Sequence, residues 1–292
     1  MIALLLSMIC STYLVVVLRY FRVYDIDARQ AIVVNYITCV ITGMAISGDV
    51  PTLQVIDEAW FPLALFLGCS FLLIFNLMAF VSAHISITLT SVAGKISMVI
   101  PVTVAVFLYG QEMTIAKSAA MLLALAAVYL VSKTPESNQQ PMHAKGLLLA
   151  FLIFIGSGIN DSVINYALYH LLAPDQFALF NIMIFGFAAL TGAVIYTGRF
   201  IFFKAPFSAR SVAGGIMLGI PNYFSMMFLL EALANPAWES SVIFPLNNMG
   251  IVVLTACCGL ILFRERFGAI HMAGLLLALV SIALMIGAGT GF

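Results

Sequence analysis

The chain has 292 residues, 63% of them hydrophobic and 8% charged, with twelve Lys and Arg balanced by twelve Asp and Glu, and its mean hydropathy is +1.14. A soluble domain carries about a quarter charged residues, and a chain this apolar cannot cover its surface with polar groups, so a soluble domain and a disordered chain are excluded. Zero net charge leaves no basic footprint for a nucleic acid.

Taken in order, the apolar runs are Ile2–Leu18, Ala31–Ile46, Phe61–Phe80, Ile87–Tyr109, Ala116–Ser132, Gly146–Leu168, Phe177–Tyr196, Ser211–Ala234, Ser240–Phe263 and Ala269–Ala288. A helix needs about 20 apolar residues to cross the hydrocarbon layer. The spacing predicts an all-α membrane protein of ten transmembrane helices, with about 29 residues for each span and its loop. Continuous runs without apolar/polar alternation exclude a β-barrel, and unpaired backbone in lipid is too costly for anything but helices. No basic residue precedes the first run and Arg19 and Arg22 follow it, so it reads as a retained span and not a secretory signal. The connections are short and turn-like: Ser47–Pro51, Ala173–Asp175, Asn235–Pro236. Between Lys133 and Lys145, Pro135, Ser137, Asn138, Gln139, Gln140 and Pro141 form a stretch of linker composition. It divides residues 1–134, with five spans, from 146–292, with five more, and 135–145 connects them. Cys10, Cys39, Cys69, Cys257 and Cys258 lie within apolar runs without CxxC spacing, the pattern of small fillers and not of a disulfide framework or a zinc site.

Charge sets an orientation. After odd-numbered spans come Arg19, Arg22, Arg29, Lys133, Lys145, Arg199, Lys204, Arg210, Arg264 and Arg266; after even-numbered spans comes Lys117. The even-side loops carry Asp49, Asp57, Glu58, Glu112, Asp175 and Glu239. Basic loops stay in the cytoplasm, so the expectation is an inner-membrane, multi-pass protein with both termini non-cytoplasmic.

The halves also resemble each other. Gly110-Gln111-Glu112 closes the fourth span and Phe263-Arg264-Glu265-Arg266 the ninth, with Ala116 and Ala269 at the same step beyond. Gln30 precedes Asn35 by the interval that separates Gln176 from Asn181, and Leu67-Gly68 matches Leu218-Gly219. An odd number of spans per repeat inverts the second repeat relative to the first, the architecture of secondary transporters.

Ten spans in two five-helix halves, the Glu markers after spans four and nine, and the small-residue motifs Cys10-Ser11-Thr12 and Gly156-Ser157-Gly158 in spans one and six resemble EamA-type members of the drug/metabolite transporter superfamily. The resemblance covers nearly the whole chain, although the Trp of the family's Trp-Gly-Ser-like motif is missing in both places. It implies a central cavity surrounded by spans one, three, four, six, eight and nine, and halves that rock to give alternating access. Many family members begin in the cytoplasm, whereas the charge pattern here places the N-terminus outside, so the direction of transport does not follow from the resemblance.

Ionisable residues at bilayer depth mark pathways and have partners. Lys95, in the fourth span, shares a helical face with Ser91 and Thr88. Asp161 lies in the sixth span between Asn160 and Ser162, with Asn165 one turn on. Counted back from the Glu markers, Lys95 falls in register with Asn248 of the ninth span. The expected substrate-binding set is Lys95 and Asp161, with Asn248, Asn247, Asn160, Asn165, Ser91, Asn76 and Asn222 as hydrogen-bonding groups. Lys95 would hold an anionic group or pair with Asp161 when the site is empty; the plainer alternative is a Lys–Asp pair that locks the bundle. Single interhelical amide bonds average about 0.6 kcal/mol, so each Asn can equally serve packing. Pro101, Pro221 and Pro245 fall inside spans, and each frees a carbonyl where a helix could gate. Glu231, His84, Glu112 and Glu265 read as interfacial or loop groups, the Glu pair beside Lys117, Arg264 and Arg266.

These features fit a secondary transporter for a small organic solute, with a proton as a candidate coupling ion. The alternative is a membrane-embedded enzyme acting on a lipid or isoprenoid. That needs clustered metal or phosphate ligands, and no HExxH, paired-Asp motif or Gly-rich phosphate loop is present. A channel needs a ring of polar groups along a pore. The reading is therefore of a non-enzyme without a cofactor, whose partners are a solute and the bilayer.

Overall fold

The structure, a computed structural model, describes residues 1–85, 87–132, 144–203, 208–264 and 268–289. Lys133, Lys204, Glu265, Arg266 and most of the central linker lie outside the described residues, as do the side chains of His84 and Thr88. Every apolar run is helical: α1 Ile2–Val23, α2 Ala28–Ser47, α3 Phe61–His84, α4 Ile87–Ile96, α5 Val99–Tyr109, α6 Ile115–Val131, α7 Ala144–His170, α8 Phe177–Phe203, α9 Ala209–Leu233, α10 Ser240–Leu262 and α11 Ala269–Gly289. Among the described residues, nine segments are long and apolar enough to cross a membrane, the α4–α5 stretch Leu89–Tyr109 being one of them, and α6 is a shorter apolar helix of 17 residues. Large apolar side chains stand on the outside, with Ile115 90%, Phe107 82% and Ile2 78% exposed. In water such a surface would aggregate; against acyl chains it is matched to its solvent. The protein is a multi-pass, all-helical membrane protein.

The helix ends follow local chemistry. Asp27 and Thr114 cap α2 and α6 by accepting from the backbone N–H groups of Arg29 and Lys117. Gly48 and Gly110, at φ 76° and 64°, end α2 and α5 in the left-handed conformation that glycine adopts without strain.

The fourth run departs from the sequence expectation: it is two helices, not one. Met98 separates α4 from α5, the Ile100 N–H bonds the Ser97 carbonyl at 2.9 Å in a tighter turn, and Ser97 Oγ donates to the Gly94 carbonyl at 2.7 Å. Pro101 is the third residue of α5, in the first turn, where a missing N–H leaves no helical bond unmade. Pro221 and Pro245 sit inside unbroken helices. Of the three prolines, Pro101 alone coincides with a break.

The chain forms two compact units, residues 1–76 with 166–234 and residues 77–165 with 235–292. Each draws helices from both halves of the sequence. In the first unit α2 packs on α8 and α9, and α1 on α9. Glycines allow the approach: a Cβ at Gly215 would stand 2.6 Å from the Ala31 carbonyl, at Gly219 2.7 Å from that of Asn35, and at Gly68 2.6 Å from that of Ile184. Lipid offers helices no hydrophobic drive to associate, so close backbone packing supplies dispersion contacts in its place.

In the second unit α6 packs on α11, and α10 on α11, α5 and α6. Met98, Val102, Met121, Ala124, Val128, Met249 and Ala278 form its core. Ser281 Oγ crosses from α11 to the Ala120 carbonyl at 2.7 Å.

Candidate functional site

The second unit carries Lys95 and Asp161, the two ionisable residues singled out within the fourth and sixth apolar runs. The break after Ile96 leaves Lys95 in the last turn of α4, where the negative end of the helix dipole favours a cation. Its Nζ donates to Asn248 Oδ1 on α10 at 3.2 Å. The Asp161 carboxylate on α7 interacts electrostatically with the same ammonium. A close ion pair joins Lys117 to Glu239 at 2.6 Å, whereas the hydrogen bond of Lys95 goes to the Asn248 amide. The arrangement is an ammonium held by a neutral amide, with a carboxylate near enough to balance it but not to neutralise its hydrogen-bonding capacity. Such a centre can accept an anionic group at Lys95 without first breaking a tight salt bridge.

The neighbouring candidates fall into two sets. Asn247, next to Asn248, is buried, and its Oδ1 has no hydrogen-bond partner, an uncommon state for a buried carbonyl oxygen. Asn160 is buried beside Asp161 on α7, and Ser91, one turn before Lys95, is exposed. Asn165 donates to Ser240 Oγ at 2.9 Å and serves a different network. Asn76 and Asn222 belong to the first unit. Asn76 returns its amide to the Leu72 carbonyl of its own helix at 2.8 Å, and Asn222 donates to Asn35 Oδ1 at 3.2 Å. In the small-residue motifs, Thr12 is buried with Oγ1 unpartnered, and Gly158 receives Ile100 of α5.

A second polar cluster, which periodicity did not reveal, joins α6, α7 and α10. Lys117 is 4% exposed; its Nζ bonds Glu239 Oε2 at 2.6 Å and the Glu112 carbonyl at 2.9 Å. Gln111 Oε1 accepts from the Ser241 N–H at 3.0 Å while its Nε2 donates to Ser240 Oγ at 3.1 Å. Glu239 also accepts from Ser241 Oγ at 2.9 Å. Lys117 is thus paired by Glu239 and by the Glu112 backbone, not by the Glu112 carboxylate. A cue was present in the sequence. Thr114 caps α6, which puts Lys117 in the first turn, where the helix dipole repels a cation, so a carboxylate from elsewhere was required.

No family model matches the chain. An uncharacterized protein of Haemophilus influenzae (strain ATCC 51907 / DSM 11121 / KW20 / Rd) is 25% identical over 284 residues, which is 96% of this chain and 95% of that protein. A crystal structure of a protein superposes with a TM-score of 0.76 at 12% identity, covering 97% of this chain and 94% of the other. That likeness is one of fold alone.

Proposed function

We propose that the protein is a secondary transporter of the inner membrane, similar in kind to the EamA-type drug/metabolite transporters, that carries a small organic anion or zwitterion by alternating access. The observation that carries the reading is the hydrogen bond from Lys95 to Asn248. An intramembrane ammonium costs about 2.5–3.5 kcal/mol on insertion scales, and a purely structural role would call for a close carboxylate partner, not an amide. In this reading Lys95 binds a carboxylate or phosphate of the solute. Asn248 and the open Oδ1 of Asn247 orient it. Asp161 balances the charge of the empty site and is the candidate carrier of a coupling proton.

Two features support an inverted repeat. Lys95 and Asn248 occupy matching steps in the two halves and touch each other, as residues near a pseudo-two-fold axis would. Gly68 and Gly219, matched in sequence, each admit a neighbouring carbonyl, the first from α8 and the second from α2, and α8 and α2 are themselves matched spans. The break between α4 and α5 is the kind of discontinuity that builds substrate sites in such repeats. The charge pattern places both termini outside the cytoplasm; a reporter fused after Phe292 that is active only in the cytoplasm overturns that orientation.

The test is flux into proteoliposomes across a panel of carboxylate and phosphate metabolites, with and without a pH gradient. Lys95→Ala and Asp161→Asn are each expected to lower flux of the transported solute by about tenfold or more, roughly 1.4 kcal/mol of lost stabilisation. Unchanged flux in both variants removes the assignment of the site.

A further inference from the structure

The first unit holds a cleft that the transport reading does not use. It lies between α2, α3 and α8, with an apolar floor of Val33, Leu72, Gly192 and Ile195 and a polar rim of Arg29, Asn76 and Tyr196. We propose that this cleft binds one anionic phospholipid, its phosphate at Arg29 and the upper part of an acyl chain along Val33, Gly192 and Leu72.

Three observations carry the assignment. The first is charge. Arg29 lies in the first turn of α2, and among the described residues its guanidinium has no protein partner. The nearby Asp27 carboxylate is engaged with the Arg29 backbone N–H at 2.9 Å. A guanidinium lining a cleft offers a fork of donors that fits a phosphate.

The second is the gradient of polarity with depth. α2 starts at Ala28 and α8 runs antiparallel to it, since Gln30 meets Tyr196 at 3.3 Å while Gly192 meets Val33. Arg29 and Tyr196 therefore lie near the membrane face, and Val33 and Gly192 about one turn, or roughly 5.4 Å, deeper. Charge and hydroxyl outside with aliphatic groups inside is the order in which a lipid presents its own parts. Gly192 helps keep the floor concave: a Cβ there would press on Val33 at 3.1 Å and Leu72 at 3.4 Å.

The third is the surrounding charge. Arg19, Arg22, Arg199 and Arg210 lie at the ends of α1, α8 and α9 that adjoin the start of α2, with Asp25 and Asp27 among them, which leaves an excess of positive charge, and basic residues near a membrane face draw anionic lipids. The proposal does not depend on the transport reading, because none of these residues belongs to the Lys95 site.

The test uses the full chain, purified in detergent, with phosphatidylglycerol or phosphatidylcholine added, read by native mass spectrometry and thermal unfolding. The wild type is expected to retain one phosphatidylglycerol per chain in preference to phosphatidylcholine. Arg29→Gln should weaken phosphatidylglycerol retention about fivefold, the worth of one interfacial charge, and Arg29→Lys should hold it within about twofold. Ile195→Trp, which fills the cleft from an exposed position and leaves the charge in place, should also lower retention. Lys145→Gln, an exposed cation on α7, should change nothing. Equal retention of the two lipids by the wild type, or wild-type retention in both Arg29→Gln and Ile195→Trp, overturns the proposal. So does an equal thermal shift from glycerol phosphate alone, which would make the site one for a free phosphate ester.

Discussion

Gly68, Gly215 and Gly219 bring backbones together in the first unit, and around α9 its amide and thiol side chains close on one another or on carbonyls. Asn35 accepts from Asn222, Asn181 donates to the Tyr223 carbonyl, and Cys39 donates to that of Gly219. In the second unit alanine, valine and methionine fill the core, and the hydrogen bonds involve charge: Lys95 with Asn248, Lys117 with Glu239. The first unit is close-fitting where α2 meets α9, and the side-chain hydrogen bonds at that seam are between neutral groups. The second also packs closely, with Gly158 against Ile100 and Gly274 against the Val131 backbone, and it holds the two lysine-centred clusters. The difference teaches that polar residues in spans of similar hydropathy are not equivalent: the amides around α9 close on one another and position helices, whereas the lysines of the second unit hold partners far away in the chain.

The strongest way to break this comparison is at Gly219. Gly219→Val forces a side chain against the Asn35 carbonyl and should destabilise the protein by about 3 kcal/mol or more, seen as loss of the monodisperse species in size-exclusion chromatography. A folded, active Gly219→Val protein would show that the α2–α9 contact is not a tight frame. Next comes Lys117→Ala, expected to cost about 1–2 kcal/mol. The penalty is moderated because the Glu239 side chain is 41% exposed and remains hydrated. Thermal unfolding in detergent measures it, and no change would mean the cluster does not brace α10. Lys95→Ala should leave the unfolding temperature lower by an amount that Lys95→Ala/Asp161→Asn partly restores, because the double variant no longer strands a carboxylate; strict additivity would show that the two groups do not feel each other. The smallest effect belongs to Asn222→Ala, about 0.6 kcal/mol of stability with flux within about twofold of wild type. A large loss of flux there would move the ligand site into the first unit.

The runs of apolar residues made the spans legible, because hydrocarbon imposes one length rule on all of them. What packs on what was not legible. A span is apolar on its lipid face and on its protein face alike, so periodicity does not separate them, and the α2–α9 contact shows in sequence only as Gly215 and Gly219 four residues apart. Counting back from the Glu markers put Lys95 in register with Asn248, and the two side chains meet between α4 and α10. It did not place the break at Met98. Pro101, Pro221 and Pro245 look alike in sequence, and the outcome depends on local partners: Ser97 closes the end of α4 on the Gly94 carbonyl, and neither other proline interrupts its helix. The pairing of Lys117 with Glu239 was hidden for another reason, since it joins residues 122 apart in the chain that no local pattern connects.

The break between α4 and α5 bears on how the chain is made. Helices of 10 and 11 residues are each too short to cross about 30 Å of hydrocarbon alone, so the translocon must release them together, as a single segment carrying an ammonium. That segment leaves the ribosome 153 residues before its amide partner on α10 is synthesised. Until then Lys95 has to be sheltered by neighbours already inserted or by water at the translocon mouth, which makes the order of synthesis part of the physics of this fold.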